Sequence, residues 1–203
     1  RQYQLLTENG GEEMTDYTQV DHLPTHGRRV VFQGVEGAYS FGAMKEFFDD
    51  TITSFHVDTW KEAMEAITRG EADYAVLPIE NSTAGIVSDI YDLLVEYPHY
   101  IVGEQELPVE HVLMALPGAK AEEIRTVISH PQALAQCRRF LDSNENWKTE
   151  ERLNTAAAAK EVSESGDLTM AAVGSPYAAE HFGLQILKEG IFDAQGNTTR
   201  FVI

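Results

Sequence analysis

Arg29-Val30-Val31-Phe32-Gln33-Gly34-Val35-Glu36-Gly37-Ala38-Tyr39-Ser40-Phe41 carries three signals in one stretch. An apolar run of strand length leads into a glycine-rich turn, and the turn leads into an amphipathic segment that runs from Phe41 to Phe48. The same succession recurs downstream. Ile52 to Val57 reads as a strand and Trp60 to Thr68 as a helix; Tyr74-Ala75-Val76-Leu77 is again a strand, and after Gly85 a helix carries Ile86, Ile90, Leu93 and Leu94 on one face. Apolar runs alternating with amphipathic stretches mark an α/β fold with parallel strands.

A long strand-like region from Tyr100 to Leu116 interrupts this rhythm, which then resumes. Val127-Ile128 leads into a helix from Pro131 to Leu141, Trp147 to Leu153 into Thr155 to Ser163, and Met170 to Val173 into Pro176 to Phe182. Ile191 to Ile203 reads as terminal strands. Two sets of βα units joined by a crossover are therefore expected, a first subdomain over about residues 29–103 plus 191–203 and a second over about 104–190. From Thr7 to Arg29 the chain is polar, acidic and glycine-rich without an apolar period, so residues 1–28 read as linker.

The 203 residues hold 15 Lys and Arg against 33 Asp and Glu, a formal charge of −18. That charge and the lack of a basic stripe make nucleic acid and anionic membrane poor partners. Cys137 is the only cysteine, which excludes an intramolecular disulfide and fits a reducing compartment, with the cytoplasm as the default. No apolar run reaches the roughly 18 to 20 residues of a membrane span. No His-x-x-x-His pair supports a zinc site.

Polar clusters stand where strands should end and helices begin, the places where open α/β sheets hold ligands. Gly34 to Ser40 lacks dinucleotide-fingerprint spacing and reads as a tight turn with Ser40 as N-cap. Pro78-Ile79-Glu80-Asn81-Ser82-Thr83-Ala84-Gly85 sets a carboxylate, an amide and two hydroxyls in succession. Residues 71–110 hold no Lys or Arg, so a buried Glu80 would have a raised pKa unless a distant cation folds against it.

Ser129-His130-Pro131-Gln132 reads as a strand end followed by Pro at the first helical position, with Ser129 and Gln132 as a capping box competing with ligand binding. Gln132 and Gln136 lie one turn apart and can face a common site. A Ser129–His130 dyad is disfavoured because neighbours in a strand point to opposite faces. Asn154-Thr155 caps a run of alanines, and Gly174-Ser175-Pro176 is mostly structural. Gly196-Asn197-Thr198-Thr199-Arg200-Phe201 places a hydroxyl beside a guanidinium where cations are scarce, since Lys160, Lys188 and Arg200 are the only ones after Arg152. Arg200 reads either as an anion-binding group or as the partner of one of the many carboxylates.

Taken in order, Gly34 to Ser40, Leu77 to Gly85, Ser129 to Cys137 and Asn197 to Phe201 resemble the signatures of the prephenate dehydratase family over roughly residues 29–203. The resemblance implies two α/β subdomains around a cleft, similar to type II periplasmic binding proteins, with the Thr-Arg-Phe strand returning to the first. It implies a carbon–oxygen lyase of phenylalanine biosynthesis that converts prephenate to phenylpyruvate without metal or organic cofactor. Thr199 would donate to the leaving hydroxyl, with Glu80 as the alternative proton source; Arg200, Asn81, Ser82, Ser129, Gln132, Gln136, Thr155, Phe201 and Ser40 would bind substrate. Family members usually continue into a phenylalanine-binding ACT domain, and Arg1-Gln2-Tyr3-Gln4 resembles the end of the last helix of a chorismate mutase. An excised central domain of a bifunctional enzyme is expected, homo-oligomeric in the full-length protein, with prephenate favoured over arogenate. The rival reading is a two-lobed binding module, a solute receptor or effector domain, without chemistry.

Overall fold

Residues 2–6, 16–194 and 196–203 are described by the computed structural model of the chain. Strands β1 (Gln2–Leu6) and β2 (Asp16–Val20) precede β3 (Arg29–Gln33), α1 (Tyr39–Phe47), β4 (Thr53–Val57) and α2 (Trp60–Thr68). Then come β5 (Tyr74–Asn81), β6 (Gly85–Ile86), α3 (Ser88–Glu96), β7 (Glu104–Pro108) and β8 (Val112–Ala115). After β9 (Thr126–Ser129) follow α4 (Pro131–Gln136), α5 (Arg138–Asp142), β10 (Lys148–Glu151) and α6 (Thr155–Ser165). The chain ends with β11 (Met170–Gly174), α7 (Pro176–His181), β12 (Gln185–Lys188) and β13 (Thr198–Val202).

The chain divides into two compact α/β units, one of residues 1–34, 43–107 and 198–203, the other of 35–42 and 108–197. Residues 35–42 and 191–197 thus belong to the second unit and 104–107 to the first, unlike the division drawn from the sequence. The Tyr100 to Leu116 stretch is two strands, β7 and β8, in different sheets.

In the first unit the sheet runs β4-β3-β5-β13-β7, with β6 paired to β5 off this path. The β3, β4 and β5 strands are parallel as expected, but β13 lies antiparallel to β5. Val31, Ala75, Leu77 and Val202 pack with Met64 of α2 and Ile90 of α3 into one core. Helix α2 is held at its start by Thr59, which accepts from the Glu62 N–H while the Glu62 carboxylate accepts from the Thr59 N–H. Each such reciprocal bond satisfies a donor that the helix itself leaves orphaned.

The second unit's sheet runs β10-β9-β11-β8-β12, parallel through β10, β9 and β11 and antiparallel beyond. The helix expected from Pro131 to Leu141 breaks at Cys137 into α4 and α5. Helix α6 buries Ala156, Ala158, Ala159 and Val162 against β11 and β9, which is what the small residues after Thr155 permit. At Gly37, φ is +89° and a Cβ would lie 2.9 Å from the Ala178 Cα, so only glycine fits. Ser175 Oγ donates to the Gly37 carbonyl and accepts from Ala178 N, tying that turn to the start of α7.

Gln2–Leu6 pairs antiparallel with Asp16–Val20, so the helix end expected at residues 2–4 is a strand. The linker expectation over residues 7–15 lies outside the described residues. From Leu23 to Arg28 the segment is fastened to the first unit rather than loose: Leu23 is buried, Tyr74 donates to the Pro24 carbonyl, and Gly27 N donates to Thr51 O.

Candidate active site

On β5 and β13 of the first unit, Asn81 and Thr199 are register partners. Asn81 Oδ1 accepts the N–H groups of Thr83 and Ala84 at 3.0 and 2.9 Å, which fixes the amide, since only its oxygen can accept. Asn81 Nδ2 then points at Thr199 Oγ1, 2.9 Å away, and donates to it. With one of its lone pairs so occupied, the threonine hydroxyl keeps its hydrogen for another acceptor. Donation from the amide also polarises that O–H, as chained hydrogen bonds do. Ser82 fastens the start of the same strand: its N–H donates to Thr198 O and its Oγ accepts from Thr198 N, both at 2.9 Å.

A bulge decides which side chains share a face here. Partners run Thr199 to Asn81 and Arg200 to Glu80, then skip Ile79 and resume with Phe201 to Pro78 and Val202 to Leu77. Pro78 has no N–H for the ladder and sits where the ladder is interrupted. Cross-strand partners share a face and strand neighbours do not. Thr199 and Asn81 therefore lie on one face, Arg200 and Glu80 on the other.

Arg200 meets carboxylates on every side of that second face: Glu80 at 3.6 Å, and Glu104 and Glu106 of β7 at 3.8 Å each. These half-exposed pairs show the carboxylate pairing that the sequence offered as one reading of Arg200. Glu80, 48% exposed and beside a guanidinium, is not a buried carboxyl without a cation. Arg200 lies on the face opposite Thr199, beside three carboxylates. Phe201, 2% exposed, is a core side chain. An apolar cavity of about 270 Å³ in this unit, between Met64, Leu77, Leu94, Tyr100, Val202 and Ile203, includes none of the expected site residues.

In the second unit Ser129 is fully buried and donates its hydroxyl to the Val173 carbonyl at 2.6 Å, pinning β9 to β11. It caps nothing; the α4 N-cap is His130, whose Nδ1 accepts from Gln132 N. Ser40 lies inside the first turn of α1 rather than before it, 8% exposed. Thr155 opens α6 behind Asn154, which accepts from Ala157 N at 2.7 Å. Gln132 is exposed, whereas Gln136 is half-buried with its Oε1 2.9 Å from His111 Nε2. The two amides do not share a partner.

His111 and Tyr39 were not singled out by the sequence reading. His111 is 3% exposed, and its Nδ1 lies 3.0 Å from the Tyr39 hydroxyl, which donates to the Glu110 carbonyl at 2.6 Å. Burial holds the His111 imidazole below its ordinary pKa, against an opposing pull from Gln136, and burial pushes the Tyr39 phenol far up. Burial likewise pushes the Cys137 thiol up to about 12, so it is no thiolate. The sequence signal for His111 is a histidine in the apolar run Val109 to Ala115, where an exposed face is not expected.

Residues 30–203 match the family model for prephenate dehydratase. Arogenate dehydratase 1 of Petunia hybrida is 41% identical over 213 residues, covering 98% of this chain and 50% of that protein. The bifunctional chorismate mutase/prephenate dehydratase of Escherichia coli (strain K12) is 33% identical over 209 residues, covering all of this chain and 54% of that protein. GqqA, described as a novel type of quorum-quenching acylase, superposes with a TM-score of 0.76 at 39% identity, over 86% of this chain and 63% of its own. The chain spans about half the length of the curated relatives it matches. It belongs to the prephenate dehydratase family.

Proposed function

We propose that the chain catalyses the decarboxylating dehydration of prephenate to phenylpyruvate, with Thr199 as the hydroxyl that donates to the departing C4 oxygen. The reaction balances as prephenate dianion plus one proton giving phenylpyruvate anion, carbon dioxide and water. The electron pair of the ring C–carboxylate bond enters the ring, the C4–O bond breaks, and hydroxide needs one proton to leave as water. Aromatisation supplies the driving force. The protein has to hold the dianion and present a donor to that oxygen.

The observation that carries the reading is the Asn81 to Thr199 hydrogen bond, because it leaves the threonine hydrogen available for donation. Thr199 is a very weak acid, so it acts as a positioned donor or relay: the net proton comes from solvent water, and any proton Thr199 passes to the departing oxygen is replaced from solvent. Asn81 in the first unit and, separately, Gln136 in the second carry neutral amide donors of the kind that bind an anion without adding charge. An acylase would need an activated nucleophile. The one Ser-His neighbour pair considered above does not provide it, since Ser129 donates to Val173 O and His130 accepts from Gln132 N. Arogenate differs from prephenate by an amino group in place of the side-chain ketone, and the relatives' names include both substrates.

Incubation with prephenate, followed by appearance of phenylpyruvate, tests the reading, with arogenate and its product phenylalanine measured in parallel. Thr199→Ala is expected to lower kcat by about two orders of magnitude or more at unchanged thermal stability, and Thr199→Ser to retain much more. Binding without turnover would favour the binding-module reading. A folded Thr199→Ala protein with unchanged kcat would remove Thr199 from the mechanism.

A further inference from the structure

We propose that His111 is a positioning residue: through an Nε2–H it fixes the Gln136 carboxamide with its oxygen inward, so that the amide N–H groups are presented to an anionic substrate. The inference rests on the dehydratase reading, in which Gln136 meets substrate. Hydrogen-bond accounting carries it. The atom of Gln136 facing His111 is Oε1, 2.9 Å from Nε2, and an amide oxygen only accepts. Nε2 must therefore hold a hydrogen. A neutral imidazole then has a bare Nδ1, which needs a donor, and the Tyr39 hydroxyl stands 3.0 Å from it. The phenolic hydrogen is shared between that nitrogen and the Glu110 carbonyl, a three-centre arrangement.

The fold makes this chain of bonds stiff. His111 immediately precedes β8 (Val112–Ala115), whose Leu113 packs in one core cluster with Ala133 and Cys137. The imidazole there meets the last residue of α4, Gln136. The Phe192 ring meets the imidazole edge to face at 5.3 Å and the Tyr39 ring lies at 6.0 Å. The ring is 3% exposed, and burial opposes the doubly protonated form. The imidazole orients Gln136 and itself touches no reacting atom.

Two measurements on the 203-residue chain test the proposal. Nitrogen-15 chemical shifts of the His111 ring at neutral pH, without substrate, should report a neutral ring protonated on Nε2; protonation on Nδ1 alone, or an imidazolium, overturns it. In a double-mutant cycle read in kcat/KM, His111→Phe should cost about tenfold, the upper range for one lost neutral hydrogen bond, in the wild-type background. It should cost less than twofold in a Gln136→Ala background, whereas equal losses in both backgrounds mean a merely structural role and overturn the proposal. Gln136→Glu keeps the acceptor for His111 but has no N–H, so it should be no better than Gln136→Ala. Should His111→Phe fail to fold, His111→Gln, which retains an N–H donor, replaces it and is expected to keep part of the activity. A wild-type chain inactive on prephenate and arogenate sinks the dehydratase reading. An active chain with the wrong His111 tautomer sinks this inference alone.

Discussion

Replacing Asn81 by Asp changes one atom group and should reverse one hydrogen bond. In Asn81→Asp the oxygen that accepts from Thr83 N and Ala84 N is kept, so the turn after β5 survives. The other oxygen takes the place of Nδ2, 2.9 Å from Thr199 Oγ1, where two acceptors cannot face each other. Thr199 must then donate to the carboxylate, and its hydrogen is withdrawn from the substrate. Recovering it during the reaction means breaking a bond to a charged group, about 1.5 to 3 kcal/mol, which is about one to two orders of magnitude in kcat. Steady-state formation of phenylpyruvate at saturating prephenate reads this directly, because the added negative charge, which raises KM, drops out at saturation. Thermal unfolding should show little change. A folded Asn81→Asp protein with kcat within twofold of wild type would refute the argument. So would a Thr199→Ala/Asn81→Asp double variant whose loss is the product of the two single losses, since both substitutions act on the same hydrogen.

Arg200→Gln leaves Glu80, Glu104 and Glu106 facing one another without their shared cation; we expect a lower Tm that added salt partly restores, and a KM for prephenate within about threefold of wild type. A large rise in KM at unchanged Tm would return Arg200 to substrate binding. Arg152 grips Glu161 with two nitrogens at 2.6 and 2.7 Å, holding the residues before α6 to that helix. That hydrogen bonding keeps the Glu161 carboxyl below its ordinary 4.5, so its contribution is present above the unfolded-state pKa and is lost as pH falls through the folded one. Arg152→Met should therefore cost of order 1 kcal/mol at pH 7, discounted for partial exposure. The gap from wild type should close below pH 4.5, as chemical denaturation across a pH series would show; a gap constant with pH would contradict it.

Sequence pattern located the elements because the apolar runs of β3, β5, β9 and β11 are buried and their composition is dictated by burial. It also singled out Thr199 and Asn81, which the fold joins by a hydrogen bond. What it does not show depends on long-range pairing. The cation that meets Glu80 lies 120 residues away in sequence, and the donor of Ser129 is spent on a carbonyl of another strand. Phe201 follows the arginine of its motif yet belongs to the core. His111 took its meaning from Tyr39 and Gln136, neither near it in the chain. A local reader sees residue types and spacing, and these four assignments turn on partners.

The bulge at Ile79 is the sharpest case, and it yields a prediction that strict counting would reverse. Alternation from the core residue Leu77 puts Ile79 and Asn81 on the Leu77 face and Glu80 on the opposite one. The register instead skips Ile79, so Glu80 shares the Leu77 face with Arg200, and Asn81 reaches the Thr199 face. Ile79 packs at the edge of the core that contains Leu77. Deleting Ile79 should therefore remove the extra residue and leave a regular ladder with the same partners, Phe201 to Pro78, Arg200 to Glu80 and Thr199 to Asn81. The cost is the half-buried isoleucine and its carbonyl, which accepts from Val87 N. About 2 kcal/mol of stability is the expected loss, with kcat on prephenate within about tenfold of wild type. Were Ile79 instead a regular ladder residue, with Asn81 still beside Thr199, the deletion would turn Asn81 away from Thr199 and reduce kcat as far as Thr199→Ala does. Measuring kcat and Tm of the deletion variant beside Thr199→Ala separates the two, and an activity as low as that of Thr199→Ala in a folded deletion variant would sink the bulge at Ile79.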